Sequence, residues 1–142
     1  GDTTALLGKL SDMGLAPDGV VFYCYSMGTG VASYAATQVR PRAIILEAPF
    51  TSFPEAVRHQ ASPVPTWLIR SRFDNHSRMR DVDVRLLLAG EDDHITPPDF
   101  AEALAAISEG FSKLHILAGA NHINMIALGA GEILSDFLFG LE

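Results

Sequence analysis

Residues 20–30 read VVFYCYSMGTG, an apolar run followed by a segment of small residues with Ser26 between them. A buried strand that leads at once into a helix explains this order and places Ser26 at a sharp strand-to-helix turn. At such a turn the serine backbone is strained, its hydroxyl stands clear of the sheet, and the helix N-terminus supports negative charge. Such a turn is crowded two positions before and two positions after the serine, so small residues are expected there. Cys24 and Gly28 occupy these two positions, and both are compact.

Two later segments each end an apolar strand with polar residues. Residues 86–98 read LLLAGEDDHITPP, and residues 114–122 read LHILAGANH. Because a parallel sheet with helical crossovers gathers the carboxyl ends of its strands at one edge, Ser26, Asp93 and His122 are expected to converge there. Their order along the chain, nucleophile then acid then base, differs from the two common serine protease orders.

At these residues the chain resembles the α/β-hydrolase superfamily, and within it the serine hydrolases that include the ABHD13/ABHD17-like, Bem46-like and serine aminopeptidase S33-like proteins. The matching stretches span nearly the whole chain and are SMGTG at 26–30, ILEAPFTS at 45–52, RFDN at 72–75, GEDD at 90–93 with Pro97, and GANH at 119–122. The resemblance implies an α/β fold of three α/β/α layers around a mostly parallel sheet, present here in part. It also implies Ser26 as nucleophile, His122 as base and Asp93 as acid, the last from a Gly-x-x-Asp spacing.

The resemblance further implies an oxyanion hole, of which the Met27 backbone N–H would be one donor. The family usually has glycine where this chain has Cys24, and it carries several strands and an oxyanion loop upstream of the serine. We therefore expect a C-terminal portion of a longer hydrolase. Loss of one oxyanion donor typically costs on the order of 10²- to 10³-fold in rate, so the isolated chain is expected to be a poor catalyst. The strand at residues 20–23 would also be an exposed edge, open to an N-terminal hydrolase segment or to self-association.

Each candidate residue also has a purely structural interpretation. A serine at a helix start often only caps the helix, and Asp93 could be a surface acid of a turn like its neighbours. Asp92 is the second choice for the acid, and Cys24 is interpreted as core rather than nucleophile. His94, next to the acid, is interpreted as a residue of the loop or of the site mouth. The other histidines lack the spacing of a metal site and are interpreted as structural or solvated: His59, His76 and His115.

Length and composition agree with a single, partial soluble globular domain over residues 1–142, with a short lid-like insertion at 49–73. The chain is 48% hydrophobic, has a formal net charge of −7 and contains one cysteine. The negative charge argues against nucleic acid and anionic membrane surfaces, and no stretch is long enough to span a membrane. The single cysteine excludes an internal disulfide and leaves the compartment open. No metal cluster or nucleotide-binding motif is present, so no cofactor is expected.

The predicted elements alternate between helices and strands. Helices are expected from residue 2 or 3 to 13, at 28–39, near 66–71, at 98–107 and at 123–139, and strands at 20–24, 43–46, 84–89 and 114–117. An irregular stretch at 49–65 would supply part of an acyl pocket. Phe50 and Thr51 in this region, and Trp67 just after it, are the predicted substrate-binding residues.

Two functions of different classes follow. The first is a serine hydrolase that cleaves an ester, thioester or peptide-like acyl bond through an acyl-enzyme. The second is a non-catalytic or incomplete hydrolase-fold module that acts in partner binding. The filled triad positions favour the first, and the absent oxyanion loop favours the second.

Overall fold

The fold is built around a parallel sheet whose strands alternate with helices. The computed structural model describes residues 2–60, 63, 65–70, 72–83, 86–108 and 112–141. Within these residues the strands are β1 (Val21–Tyr25), β2 (Ala43–Glu47), β3 (Leu86–Gly90) and β4 (Lys113–Leu117), and the helices are α1 (Asp2–Asp12), α2 (Gly28–Gln38), α3 (Phe53–His59), α4 (Asn75–Arg78), α5 (Pro98–Ile107) and α6 (Ala130–Phe139). The strands lie in the order β1-β2-β3-β4, and every neighbouring pair is parallel.

The two central strands owe their place to their apolar composition. Strand β2 reads AIILE and β3 reads LLLAG, and every residue of both is buried, as expected for a parallel strand covered on both faces. One face of the sheet packs in a cluster that includes Ala32, Leu46 and Leu104, from α2, β2 and α5. The opposite face packs in a second cluster that includes Ile45, Leu88 and Ala130, the last from α6. Helices therefore cover both faces, and the predicted three-layer α/β/α architecture is confirmed.

Some predicted boundaries differ from those observed. The last helix begins at Ala130, because the preceding residues form a 3-10 turn, Ile126–Leu128, and then reverse at Gly129 with φ of 111°. The predicted helix near 66–71 is a single 3-10 turn, Thr66–Leu68, and Ser71 lies outside the described residues. The predicted strand at 84–89 is described from Leu86 onward, and its first two residues lie outside the described range.

The predicted lid-like stretch contains a helix that the sequence did not indicate. Ser52 caps α3 by accepting a hydrogen bond from the Glu55 N–H, and Phe53 packs edge-on against Phe50 and Phe73. The short α4 follows, capped by Asp74, and was also not predicted. The lid role of residues 49–73 stays a prediction. None of the described helices has both the length and the apolar composition of a membrane span.

Candidate active site

Ser26 lies directly after β1, at the turn that leads into α2. Its φ is 50°, in the left-handed region that a serine rarely adopts. The Ser26 N–H donates to the Glu47 carbonyl at 2.9 Å, which continues the pairing of β1 with β2 beyond the strand end. The crowding is milder than the sequence predicts: a Cβ built on Gly28 would lie 3.6 Å from the Cys24 Cβ, an ordinary contact.

Asp93 lies in the turn after β3, with 2% of its surface exposed. Its Oδ1 accepts hydrogen bonds from the Ile95 N–H at 2.8 Å and the Thr96 N–H at 2.9 Å. Its Oδ2 accepts from the Thr96 hydroxyl at 2.9 Å and lies 2.8 Å from His122 Nδ1. These four partners hold the buried carboxylate in one orientation and point Oδ2 at the imidazole.

His122 follows β4 and joins the other two residues. Its Nδ1 lies 2.8 Å from Asp93 Oδ2, and its Nε2 lies 3.0 Å from Ser26 Oγ. An ionised carboxylate can only accept, so this arrangement places the ring proton on Nδ1 and leaves the Nε2 lone pair for the serine hydroxyl. The His122 side chain is 13% exposed, so the site is accessible from solvent.

Tyr25 fixes the loop that carries the histidine. Its hydroxyl donates to the His122 carbonyl at 2.5 Å, and the two ring centroids lie 5.1 Å apart. Burial raises the pKa of the Tyr25 phenol, and the charges of Asp93 and Glu47 raise it further. The phenol therefore stays protonated and keeps donating at neutral pH.

The other predicted site residues occupy different places. Met27 caps α2, and among the described residues no group accepts a hydrogen bond from its N–H. Asp92, the second choice for the acid, is exposed and contributes its backbone N–H to the Ala120 carbonyl. Phe50 is buried against Phe53. Thr51 is also buried, and Trp67 is 80% exposed.

Thr51 and Trp67 line a cavity of about 650 Å³ beside α3 and α4. Its lining does not include Phe50, and it does not include Ser26, Asp93 or His122. The cavity contains two arginines, Arg58 and Arg72, and an equal number of acidic side chains. The structure thus brings together the three residues with predicted chemical roles and separates Phe50 from the other two predicted substrate-binding residues.

Sequence reasoning missed several hydrogen bonds in and around the group formed by Ser26, Asp93 and His122. Thr96 holds Asp93 through both its N–H and its hydroxyl, and the Asp-x-x-Thr spacing of a turn was the available signal. The buried Glu47 carboxylate accepts a hydrogen bond from the Tyr23 hydroxyl. Burial is the main reason that the pKa of the Tyr23 phenol is raised, and this hydrogen bond raises it further. The hydrogen bonds made by Tyr23 and Tyr25 have no signal in the sequence, because tyrosine is a common residue in strands. Among the described residues, no group of three or more histidine, cysteine or acidic side chains could hold a metal ion.

Gly90 lets the histidine loop approach β3. A Cβ at this position would lie 2.5 Å from the Ala120 carbonyl oxygen and 2.9 Å from its carbon, and both are backbone atoms that cannot rotate away. We expect Gly90→Ala to lower the free energy of unfolding by about 1–3 kcal/mol. It should also displace the loop that carries His122. Urea denaturation followed by circular dichroism measures the first effect.

Gly8→Ala is the matched control, since no atom lies within 4 Å of its Cβ position. Gly8 is exposed in the interior of α1, so alanine there should raise the free energy of unfolding by about 0.5–1 kcal/mol. A Gly90→Ala chain as stable as the unsubstituted one would contradict this close approach.

The chain has relatives among curated proteins. It is 29% identical over 123 residues to an uncharacterised protein of Mycobacterium tuberculosis strain H37Rv, and equally to its counterpart in strain CDC 1551. The match covers 84% of this chain and 43% of each relative. The chain therefore spans less than half the length of the curated relatives it matches. No protein-family model matches it.

Solved structures with a similar fold superpose on almost all of the chain. An acetyl xylan esterase from Paenibacillus sp. R4 superposes with a TM-score of 0.77 at 20% identity, over 97% of this chain and 50% of that one. An α/β hydrolase from the sediment metagenome of the Mar Chica lagoon in Morocco gives a TM-score of 0.70 at 18% identity, over 97% and 68%. One from a Medee basin deep-sea metagenome library gives 0.69 at 14% identity, over 98% and 70%.

Proposed function

We propose that this chain, which has the α/β-hydrolase fold in part, carries the catalytic triad of a serine hydrolase. This proposal is supported by two hydrogen-bond distances that link the three side chains in a row. Ser26 Oγ lies 3.0 Å from His122 Nε2, and His122 Nδ1 lies 2.8 Å from Asp93 Oδ2. A hydroxyl, an imidazole and a buried carboxylate in this order are the parts of an activated nucleophile.

The mechanism follows from what each group can accept or donate. Ser26 Oγ attacks the carbonyl carbon of the substrate while its proton moves to His122 Nε2, and Asp93 stabilises the imidazolium that results. The Met27 N–H would bind the oxyanion of the tetrahedral intermediate. When that intermediate collapses, the leaving group takes the proton from His122 and the acyl group stays on Ser26. A water molecule, deprotonated by His122, then attacks the acyl-enzyme. The bond between Ser26 Oγ and the acyl group breaks, His122 returns the proton to Ser26 Oγ, and the acid is released.

An ester is the substrate class that we propose first, with thioesters and peptide-like bonds as alternatives. Several of the structural neighbours are esterases, including a second acetyl xylan esterase, from Thermoanaerobacterium sp. JW/SL YS485. Their identity to this chain is 20% or less, which supports the fold and leaves the substrate to experiment. Membership in the Bem46-like, ABHD13/ABHD17-like or S33-like group is likewise a proposal.

Acyl trapping tests the proposed function. The chain is mixed with p-nitrophenyl acetate, quenched in acid within seconds, and analysed by intact mass and peptide mapping. We expect one acetyl group, located on the peptide that contains Ser26, and none when the chain is denatured beforehand. Acetylation confined to lysines or to the N-terminus, on a chain shown to be folded, would contradict the proposal.

A specific observation supports partner binding as the second candidate function. Among the described residues β1 pairs only with β2, and Tyr23 and Tyr25 on it are nearly half exposed. Such an edge can take up a strand from another segment or from a second copy of the chain. A folded chain that cannot be acylated but forms a stable complex through this edge would favour this candidate over the first.

Cys24 provides a check on which residue is the nucleophile. Burial raises the pKa of its thiol, so the thiol stays protonated at neutral pH and reacts poorly. We expect Cys24→Ala to be acetylated as fast as the unsubstituted chain. We also expect iodoacetamide to alkylate Cys24 in the folded chain only at higher pH than in the denatured chain, as measured by mass spectrometry. Loss of acetylation in Cys24→Ala, with folding intact, would assign the chemistry to the thiol instead.

A further inference from the structure

A line of buried polar side chains runs from α4 to the turn that carries Ser26. Arg78 Nη1 donates to Ser33 Oγ at 3.2 Å, and Ser33 Oγ donates to Asn75 Oδ1 at 2.6 Å. Asn75 Nδ2 donates to Thr29 Oγ1 at 3.3 Å, and Thr29 Oγ1 donates to the Ser26 carbonyl at 2.7 Å. Ser33, Asn75 and Thr29 have no exposed surface. This polar chain therefore ends on the backbone of the proposed nucleophile.

The donors available to each side chain fix the direction of the polar chain. Thr29 has one hydroxyl proton, which is engaged by the Ser26 carbonyl, so its oxygen accepts from Asn75. The second N–H of the Asn75 amide donates to the Phe50 carbonyl at 2.8 Å. The amide is thus placed in one orientation, with its oxygen toward Ser33. The Ser33 hydroxyl also lies 3.1 Å from the Gly30 carbonyl, so its one proton is shared between that oxygen and Asn75 Oδ1. The bonds from Asn75 to Thr29 and from Thr29 to Ser26 both point toward Ser26, and hydrogen bonds aligned in this way polarise one another.

The polar chain ends on a peptide group that has a second role in the proposed mechanism. The Ser26 carbonyl and the Met27 N–H belong to the same planar peptide unit, so fixing one fixes the other. A hydrogen bond received at the oxygen also draws electron density from the nitrogen and strengthens the N–H as a donor. We infer that Thr29 and Asn75 are positioning residues that orient and polarise the Met27 N–H toward the oxyanion. This inference rests on the proposed function.

Close packing between α2 and the segment before α4 holds these polar side chains in place. A Cβ built on Gly30 would lie 2.8 Å from the Phe73 Cβ, so the segment before α4 is pressed directly against the first turn of α2. The Gly30 carbonyl accepts a further hydrogen bond from Arg78 at 2.9 Å. Ser26 needs such support, because a left-handed φ persists only where the surroundings determine it.

Replacing the Thr29 hydroxyl tests the inference. Thr29→Val keeps the shape of the side chain and removes the hydroxyl that donates to the Ser26 carbonyl, while the bond from the Thr29 N–H to that carbonyl at 2.9 Å stays. We expect kcat for p-nitrophenyl acetate to fall about 3- to 10-fold with KM unchanged, because the lost bond acts on the transition state. Thr29→Ser restores the hydroxyl and should restore kcat. Thr37→Val is the matched control, since Thr37 makes the same bond to the Tyr34 carbonyl at 2.7 Å on the exposed side of α2.

A second readout does not depend on activity. The ¹⁵N chemical shift of Met27 senses the hydrogen bonds received by the Ser26 carbonyl, and it should move in Thr29→Val but not in Thr37→Val. If Thr29→Val keeps the kcat of the unsubstituted chain while Ser26→Ala is inactive, the inference is overturned and the proposed function stands. If the unsubstituted chain shows neither turnover nor acylation, the proposed function fails. In that case an unmoved Met27 shift also overturns the inference, and a moved shift supports the orienting contact.

Discussion

Ser26→Ala is expected to abolish covalent reaction with a fluorophosphonate and to lower kcat/KM for an activated ester by a factor on the order of 10⁴ or more. The side chain that lies 3.0 Å from His122 Nε2 is then missing, and no other described hydroxyl is within hydrogen-bond distance of that nitrogen. A fluorophosphonate needs an activated serine, so intact mass should show one adduct on the unsubstituted chain and none on the variant.

Ser11→Ala is the control for this experiment. Ser11 is exposed at the end of α1, and its replacement should leave both the adduct and the rate unchanged. A Ser26→Ala chain that still gains an adduct would show that another residue is the nucleophile. A folded unsubstituted chain that gains no adduct would show that the triad is not activated in this chain.

Asp93→Asn is expected to lower kcat by about 10⁴-fold while the chain stays folded. The reason lies in the partners of the carboxylate. Oδ1 accepts from two backbone N–H groups, so the asparagine carbonyl oxygen takes that position and the amide nitrogen takes the position of Oδ2. That nitrogen would donate to His122 Nδ1, which puts the ring proton on Nε2. An Nε2 that carries a proton cannot accept one from Ser26.

Asp92→Asn is the matched control and decides between the two acids that the sequence offered. Asp92 is exposed, so this variant should keep the rate and the stability of the unsubstituted chain. The measurements are steady-state kinetics and thermal melting on both variants. If Asp92→Asn loses the activity and Asp93→Asn keeps it, the assignment of the acid is wrong.

The fold and the three convergent residues could be predicted because both depend on local signals. Continuous apolar runs identify buried parallel strands, and β2 and β3 are buried at every residue. The ends of parallel strands share one edge of the sheet, so polar residues just after β1, β3 and β4 had to lie near one another. Ser26, Asp93 and His122 each follow one of these strands directly or within a short loop.

What could not be predicted depends on contacts between distant segments. Asn75 is fully buried, and its three partners lie 25, 42 and 46 residues away, so no local pattern signals its place. The late start of α6 is set by a left-handed Gly129, although the residues before it continue a helical pattern. Phe50 and Trp67 are both predicted to line the acyl pocket, but Phe50 turns into the core.

The long sequence separations within the proposed triad also determine at what stage of folding the site can form. His122 lies 96 residues from Ser26 and 29 from Asp93, and the three residues come from the ends of β1, β3 and β4. No subset of neighbouring strands contains all three, so a partly folded chain with one strand missing has no complete triad. If Ser26 is the nucleophile, as proposed, its reactivity depends on the whole sheet, and it should disappear in a single cooperative step together with the global unfolding of the chain.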